Sequence, residues 1–121
     1  MFRQALSEVI ERTEGATGAL IMGMDGIAVE RVFLPEGDDA NIDVAATEIT
    51  SLVRGALRAG ANTGLGTLNE LVVNYERVRI LARMFSTEYF VVLALRPDGN
   101  LGRGRFELRK AELLLAREFA L

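Results

Sequence analysis

The sequence contains neither cysteine nor histidine. Disulfides, thiol nucleophiles, zinc sites built on Cys or His, and any triad with an imidazole base are therefore excluded. Lysine occurs once, at Lys110, and no GxxxxGK[ST] motif is present, so the chain is not a P-loop NTPase. Long apolar runs are missing as well. Charges interrupt every hydrophobic stretch before it reaches the length of a bilayer span, so no membrane insertion is expected. The opening "MFRQALSEVIERTEG" is amphipathic and contains acids, unlike a secretory signal. The expectation is a soluble, cytoplasmic protein with no bound metal and no cofactor.

What is present is a chain of 121 residues, half of them hydrophobic, enough to bury one core in one domain over residues 1–121. A net charge of −3 argues against a dedicated nucleic-acid binder, but it hides an asymmetry. Residues 1–50 hold 10 acidic and 3 basic side chains, whereas residues 51–121 hold 7 acidic and 11 basic. Such a split suits partner steering or self-association.

Phe2, Leu6, Val9, Ile10 and Thr13 mark one face of a first helix ending near Glu14–Gly15. Asp25-Gly26 between two apolar runs predicts a hairpin with positive φ at its turn, joining strands at about 17–24 and 27–33. After the polar loop Pro35–Asn41, Asn41 or Asp43 is expected to cap a second helix through about Ala59, ended by the Gly60–Gly66 run. Three strands follow at Leu68–Tyr75, Arg77–Phe85 and Tyr89–Leu95, then a third helix at Leu101–Phe119. The order α-β-β-α-β-β-β-α implies an α+β fold, a five-stranded antiparallel sheet flanked by helices.

Gly99, Gly102 and Gly104 pose a choice between a phosphate cradle and a turn. Their spacing is GxxGxG rather than GxGxxG, and they follow the last antiparallel strand instead of the first strand of a βαβ unit. Arg103, Arg105 and Arg109 fall on different helix faces and make no common claw. A turn is the better reading, with Gly99 at positive φ, Asn100 as N-cap, and Gly102 and Gly104 letting helix and sheet approach.

The second helix has an apolar arc of Ala45, Ala46, Ile49, Leu52, Val53, Ala56, Leu57 and Ala59, covering roughly half the cylinder against a ~100° minimum for one sheet contact. Ser51, Gly55 and Ala59 form a small-residue row at its border. Such a helix is either fully used by its own sheet or packs on the sheet and on a second copy. On the fourth strand Arg77, Arg79 and Arg83 share a face with Leu81. They either receive phosphate or a partner's carboxylates, or lay their stems over apolar atoms at a sheet edge.

The stretch "NLGRGRFELRKAE" after a PDG turn resembles the closing signature of the roadblock/dynein light-chain domain family. The N-terminal helix, the "GALIMGMDGIAVE" hairpin, the small-residue-rich second helix and the three strands agree in order over nearly the whole chain, and point to the bacterial MglB-like branch. The resemblance implies a homodimer or heterodimer joined through the second helix and third strand, with two sheets merging into one. Carried onto this chain, dimer contacts fall at Ile49, Leu52, Val53, Ala56 and Leu57 and at Leu71, Val72 and Val73. It also implies a small Ras-like GTPase as partner, met around the paired second helices at Glu48, Arg54 and Arg58. No catalytic residue follows, because bacterial relatives reshape the GTPase's own machinery.

The leading expectation is thus a homodimeric regulator that binds a small Ras-like GTPase and stimulates its GTP hydrolysis. The alternative is a non-catalytic dimeric scaffold, for which Phe106, Leu113 and Ala120 make a second stripe on the third helix beside Leu101, Leu108, Ala111, Leu115 and Phe119. That second stripe is otherwise expected to pack on the first helix. An enzyme is the weakest reading. Glu36, Asp38, Asp39 and Asp43 in "EGDDANID" offer carboxylates for a hard cation, but without the regular ligand alternation of a calcium loop.

Overall fold

The computed structural model describes residues 2–37 and 39–119, so Asp38 and Ala120, together with the side chain of Asp39, lie outside the described residues. The elements are α1 (Phe2–Arg12), β1 (Ala16–Gly23), β2 (Ala28–Phe33), α2 (Asp39–Thr63), β3 (Glu70–Asn74), β4 (Arg79–Met84), β5 (Tyr89–Leu95) and α3 (Leu101–Phe119). One antiparallel sheet has the spatial order β2-β1-β5-β4-β3. The element order and the sheet are those expected from the sequence.

Strand β5 sits at the centre, and alternation along it splits the core in two. Val91, Leu93 and Leu95 point to one side, where Ala19, Ile21 and Leu81 meet Leu6, Val9 and Ile10 of α1 and Leu108 and Leu115 of α3. Phe90, Val92 and Ala94 point to the other, where Leu20, Met22, Ile80 and Ala82 meet Ile42, Ala46, Ile49 and Val53 of α2. The result is three layers, with α1 and α3 on one face of the sheet and α2 alone on the other. Because β5 is covered on both faces, its sequence is a continuous apolar run instead of an alternation.

The β1–β2 connection differs from a two-residue turn. Gly26 has φ +86°, but Asp25 stays at negative φ. Gly23 N–H donates to Ile27 C=O and Gly26 N–H to Gly23 C=O, both at 2.9 Å, while Asp25 Oδ1 accepts from Ile27 N–H at 3.0 Å. These bonds close a three-residue loop, a form that needs the left-handed conformation only at its last residue.

The glycine-rich turn before α3 is a packing device. Gly99 does not have the positive φ expected of it. It is small because a Cβ there would lie 3.0 Å from Arg96 O, 3.1 Å from Leu95 Cβ and 3.2 Å from Glu14 O. The positive φ belongs to Gly15, at +87°, whose added Cβ would lie within van der Waals overlap of Gly99 Cα. The α1–β1 turn and the β5–α3 turn are therefore in backbone contact. Arg96 N–H donates to Gly15 C=O and Asn100 N–H to Glu14 C=O, both at 2.8 Å. Asn100 Oδ1 accepts from Arg103 N–H at 2.9 Å and caps α3, as expected. Gly104 brings the helix down onto Leu93, whereas Gly102 is exposed and separates nothing.

Helix α2 starts earlier and ends later than its composition suggests. Asn41 and Asp43 lie inside it rather than at its start, and Gly60 continues the helix past Ala59. Gly60 is tolerated because its missing Cβ leaves room for Gly66 O, which a Cβ there would overlap. The stop comes at Gly64, φ +75°, a left-handed C-terminal residue. On the α1/α3 face of the sheet, Phe119 ties α3 to α1 and to the β4–β5 turn, with ring centroids 4.8 Å from Phe2, 4.3 Å from Tyr89 and 5.3 Å from Phe85.

Two of the left-handed glycines, Gly64 and Gly15, separate conformational cost from collision. Gly64→Ala meets no atom within 4 Å and should cost about 1 kcal/mol from backbone conformation alone. Gly15→Ala adds a backbone collision and should cost about 2–4 kcal/mol. Urea unfolding of both variants checks the ordering; equal losses would mean that the two turns are not in contact.

Candidate interaction surface

Helix α2 rests on the sheet through Ile42, Ala46, Ile49 and Val53, all under 9 % exposed. Thr50 is buried in the same row and satisfies its hydroxyl on Ala46 O at 2.9 Å. The two flanks of the helix differ. One flank faces the β1–β2 hairpin. There Arg31 pairs with Asp43 at 3.4 Å, Thr47 Oγ1 donates to Gly26 O at 3.4 Å, and Arg54 donates to Met24 O. At helical spacing Ala45, Leu52, Ala56 and Ala59 therefore lie on the opposite flank, toward β4 and β3.

That second flank is open. Leu52 is 51 % exposed, and Val44 and Leu65 are also out in solvent. Ala56 and Leu57 are half-buried. Beside them runs β3, which pairs only with β4 and leaves its outer edge free among the described residues. Leu71 packs against the α2 side of the sheet, and Val73 shares its parity. The two sheet edges are not alike. Strand β2 presents Glu30 and Arg31 in mid-strand, charges that discourage pairing, while β3 reads Leu71-Val72-Val73.

The residues expected at the interface divide between the protomer's own core and its surface. Ile49 and Val53 are 1 % and 0 % exposed, so their surface is spent inside the protomer. Val72 packs on the α1/α3 side and so shares no patch with α2. Leu52 and Ala56 remain on the flank toward Leu71, Val73 and the β3 edge, while Leu57 continues the row of Ile49 and Val53 and packs against the core. Of the three expected partner contacts, Glu48 is exposed on the Leu52 flank, one turn before it. Arg58 is exposed, and Arg54 is held by Met24 O and by Ser51 Oγ at 3.5 Å.

The other candidate groups resolve into local pairs. Arg83 lies 3.6 Å from Glu70 and 3.2 Å from Glu112, with its side chain only 17 % exposed, and Arg105 also holds Glu70 at 2.7 Å. Arg79 donates to Asn74 Oδ1 at 2.9 Å. Arg83 is thus saturated by the chain's own carboxylates. In the acidic loop Asp43 turns to Arg31, and no group of three metal-binding side chains forms among the described residues. On α3, Phe106 and Leu113 do not pack on α1. They are 46 % and 73 % exposed, and it is Leu114 that borders the α1 groove with Ala5, Glu8 and Val9. No described helix is long and apolar enough to cross a membrane.

Neither a family profile nor a curated protein sequence matches the chain. Solved structures do. MglC from Myxococcus xanthus is 35 % identical, with 98 % of each chain covered and a TM-score of 0.75. A Roadblock/LC7 domain from Streptomyces avermitilis is 15 % identical over 98 % of each chain, with a TM-score of 0.85. The gliding protein MglB from Thermus thermophilus is 21 % identical over 94 % of this chain and 84 % of its own, at 0.82. The last two speak for the fold alone.

Val53 and Leu52 are neighbours in sequence with opposite surroundings. Val53→Ala should lower stability by about 2 kcal/mol at every protein concentration. A loss that grows on dilution, followed by circular dichroism, would instead place Val53 between molecules.

Proposed function

Since the chain belongs to the roadblock/dynein light-chain family, with MglC at 35 % identity over 98 % of each chain, we propose that it is a homodimeric regulator of the MglB-like kind that binds a small Ras-like GTPase. The observation that carries this reading is the open flank of α2 next to an unprotected strand edge. Leu52, Ala56, Leu71 and Val73 make one apolar patch, and the edge of β3 is a row of unsatisfied N–H and C=O groups. A second copy applied about a two-fold axis covers the patch and continues the sheet from β3 to β3. One related structure is described as MglB with a tetrameric arrangement, a precedent for self-assembly in a chain of the same fold.

Pairing the two α2 helices would set Glu48 and Arg58 of both protomers on one surface, where the GTPase docks. The regulator acts there by binding and reshaping. Arg54 is tethered to the hairpin, and Arg58 rises from the middle of a helix rather than from an extended loop, so neither has the reach of an arginine finger. Any stimulation of hydrolysis comes from the GTPase's own residues.

A dimeric scaffold is the second reading, and the exposed Phe106 and Leu113 on α3 favour it. The two readings separate on nucleotide turnover. With a Ras-like GTPase from the same genome, single-turnover hydrolysis should accelerate with added protein. Arg58→Ala should raise the concentration needed for half-maximal effect while changing the saturated rate by less than about tenfold. A fall of ~10³–10⁵ in the saturated rate would reveal a finger after all. Binding without acceleration would leave the scaffold.

A further inference from the structure

The outer pole of α3 faces away from α2, across the sheet, and no other described element covers it. Arg103, Phe106, Lys110, Leu113 and Arg117 follow one another at intervals of three, four, three and four residues along a single line. That is the spacing of a coiled-coil seam, with cations at one core position and apolar side chains at the other. The line extends about 21 Å. Phe106 and Leu113 are its exposed apolar points, and Leu114 adds a half-open flank above the α1 groove.

The cations on this line are set in place by a buried acid. Glu107 is 2 % exposed, and its Oε2 lies 2.7 Å from Arg103 Nη2 while its Oε1 lies 3.5 Å from Lys110 Nζ. Both cations hang over the Phe106 ring, at 5.3 and 5.4 Å from its centroid. Glu107 offsets one charge. Arg109 and Arg117 have no acidic partner among the described residues, so the face keeps an excess of positive charge around two large apolar side chains.

We infer that this face docks an acidic amphipathic helix of a partner protein. The partner places apolar side chains, seven residues apart, on Phe106 and Leu113. Its Asp or Glu side chains, at the alternate core position, meet Arg103, Lys110 and Arg117. Charge decides against the two other occupants. In either orientation a second copy of the same face would bring six cations into one seam against two buried glutamates. An anionic bilayer is flat and would also meet α1, which lies beside α3 on the same side of the sheet and whose outward charges cancel, Glu8 and Glu11 against Arg3 and Arg12, so the positive charge would be diluted over a wider area. A helix, about 10 Å wide, follows the α3 line, where the positive charge is concentrated. The inference is independent of the α2 patch and stands whether or not the chain dimerises there.

The test uses the full chain and two labelled three-heptad peptides. Both have leucine at one core position; one has glutamate at the other core position and one has lysine. Fluorescence anisotropy should show binding of the glutamate peptide and none of the lysine peptide. Leu113→Ala and Arg117→Glu should each weaken binding about tenfold without changing the melting temperature. Vesicles of equal phosphatidylglycerol and phosphatidylcholine should not sediment the protein. The inference is overturned if the glutamate peptide does not bind, if either variant binds it as the parent does, or if the vesicles carry the protein down. Light scattering on the same samples reports dimerisation separately, so failure at one surface is not mistaken for failure at the other.

Discussion

A sheet has two faces, and this chain has three helices with which to cover them. Five strands at their usual spacing make a surface about 24 Å wide. The side-by-side pair α1 and α3, each about 10 Å across, nearly spans it; α2 alone does not. The shortfall determines where apolar surface is left over. Contacts with the β1–β2 hairpin through Asp43, Thr47 and Arg54 draw α2 toward one side, so the uncovered strip lies along β4 and β3. The exposed Leu52 is a consequence of this deficit in cover, and it falls on the side of the open β3 edge.

The better-covered face depends on a contact as small as two glycines. Gly15 and Gly99 bring the end of α1 and the start of α3 into backbone contact, and the hydrogen bonds of Arg96 and Asn100 fix the two turns to each other. Gly104 then sets α3 close on β5. Phe119 closes the far end by gathering Phe2, Phe85 and Tyr89. Held at both ends, α3 is a rigid rod whose inner face is core and whose outer face is free to present a fixed pattern of charge and apolar side chains.

Much of this architecture was legible in the sequence because it rests on local periodicity. The apolar run of β5, the Asp25-Gly26 turn and the Asn100 cap each encode their structure within a few residues. Helix α2 shows where such reading stops. Its length was underestimated because Gly60 looks like a terminator until the approach of Gly66 O is known, and that approach is a tertiary fact. The arc of α2 was half legible for the same reason. A wide apolar arc shows that a helix carries more apolar surface than one contact needs, but it does not say which residue faces the sheet. Ile49 and Val53 went to the protomer's own sheet, and Leu52, one residue before Val53, stayed outside. On α3 the positions of Phe106 and Leu113 were visible as a stripe, while their exposure was decided by Ala111 and Leu114, which α1 took as its contacts instead.

The central claim is that the strip α2 leaves bare is covered by a second copy of the chain. The most direct measurement is the solution mass by light scattering at micromolar concentration. The account predicts a mass near twice 13.2 kDa. A stable species of 13.2 kDa across that range would contradict it.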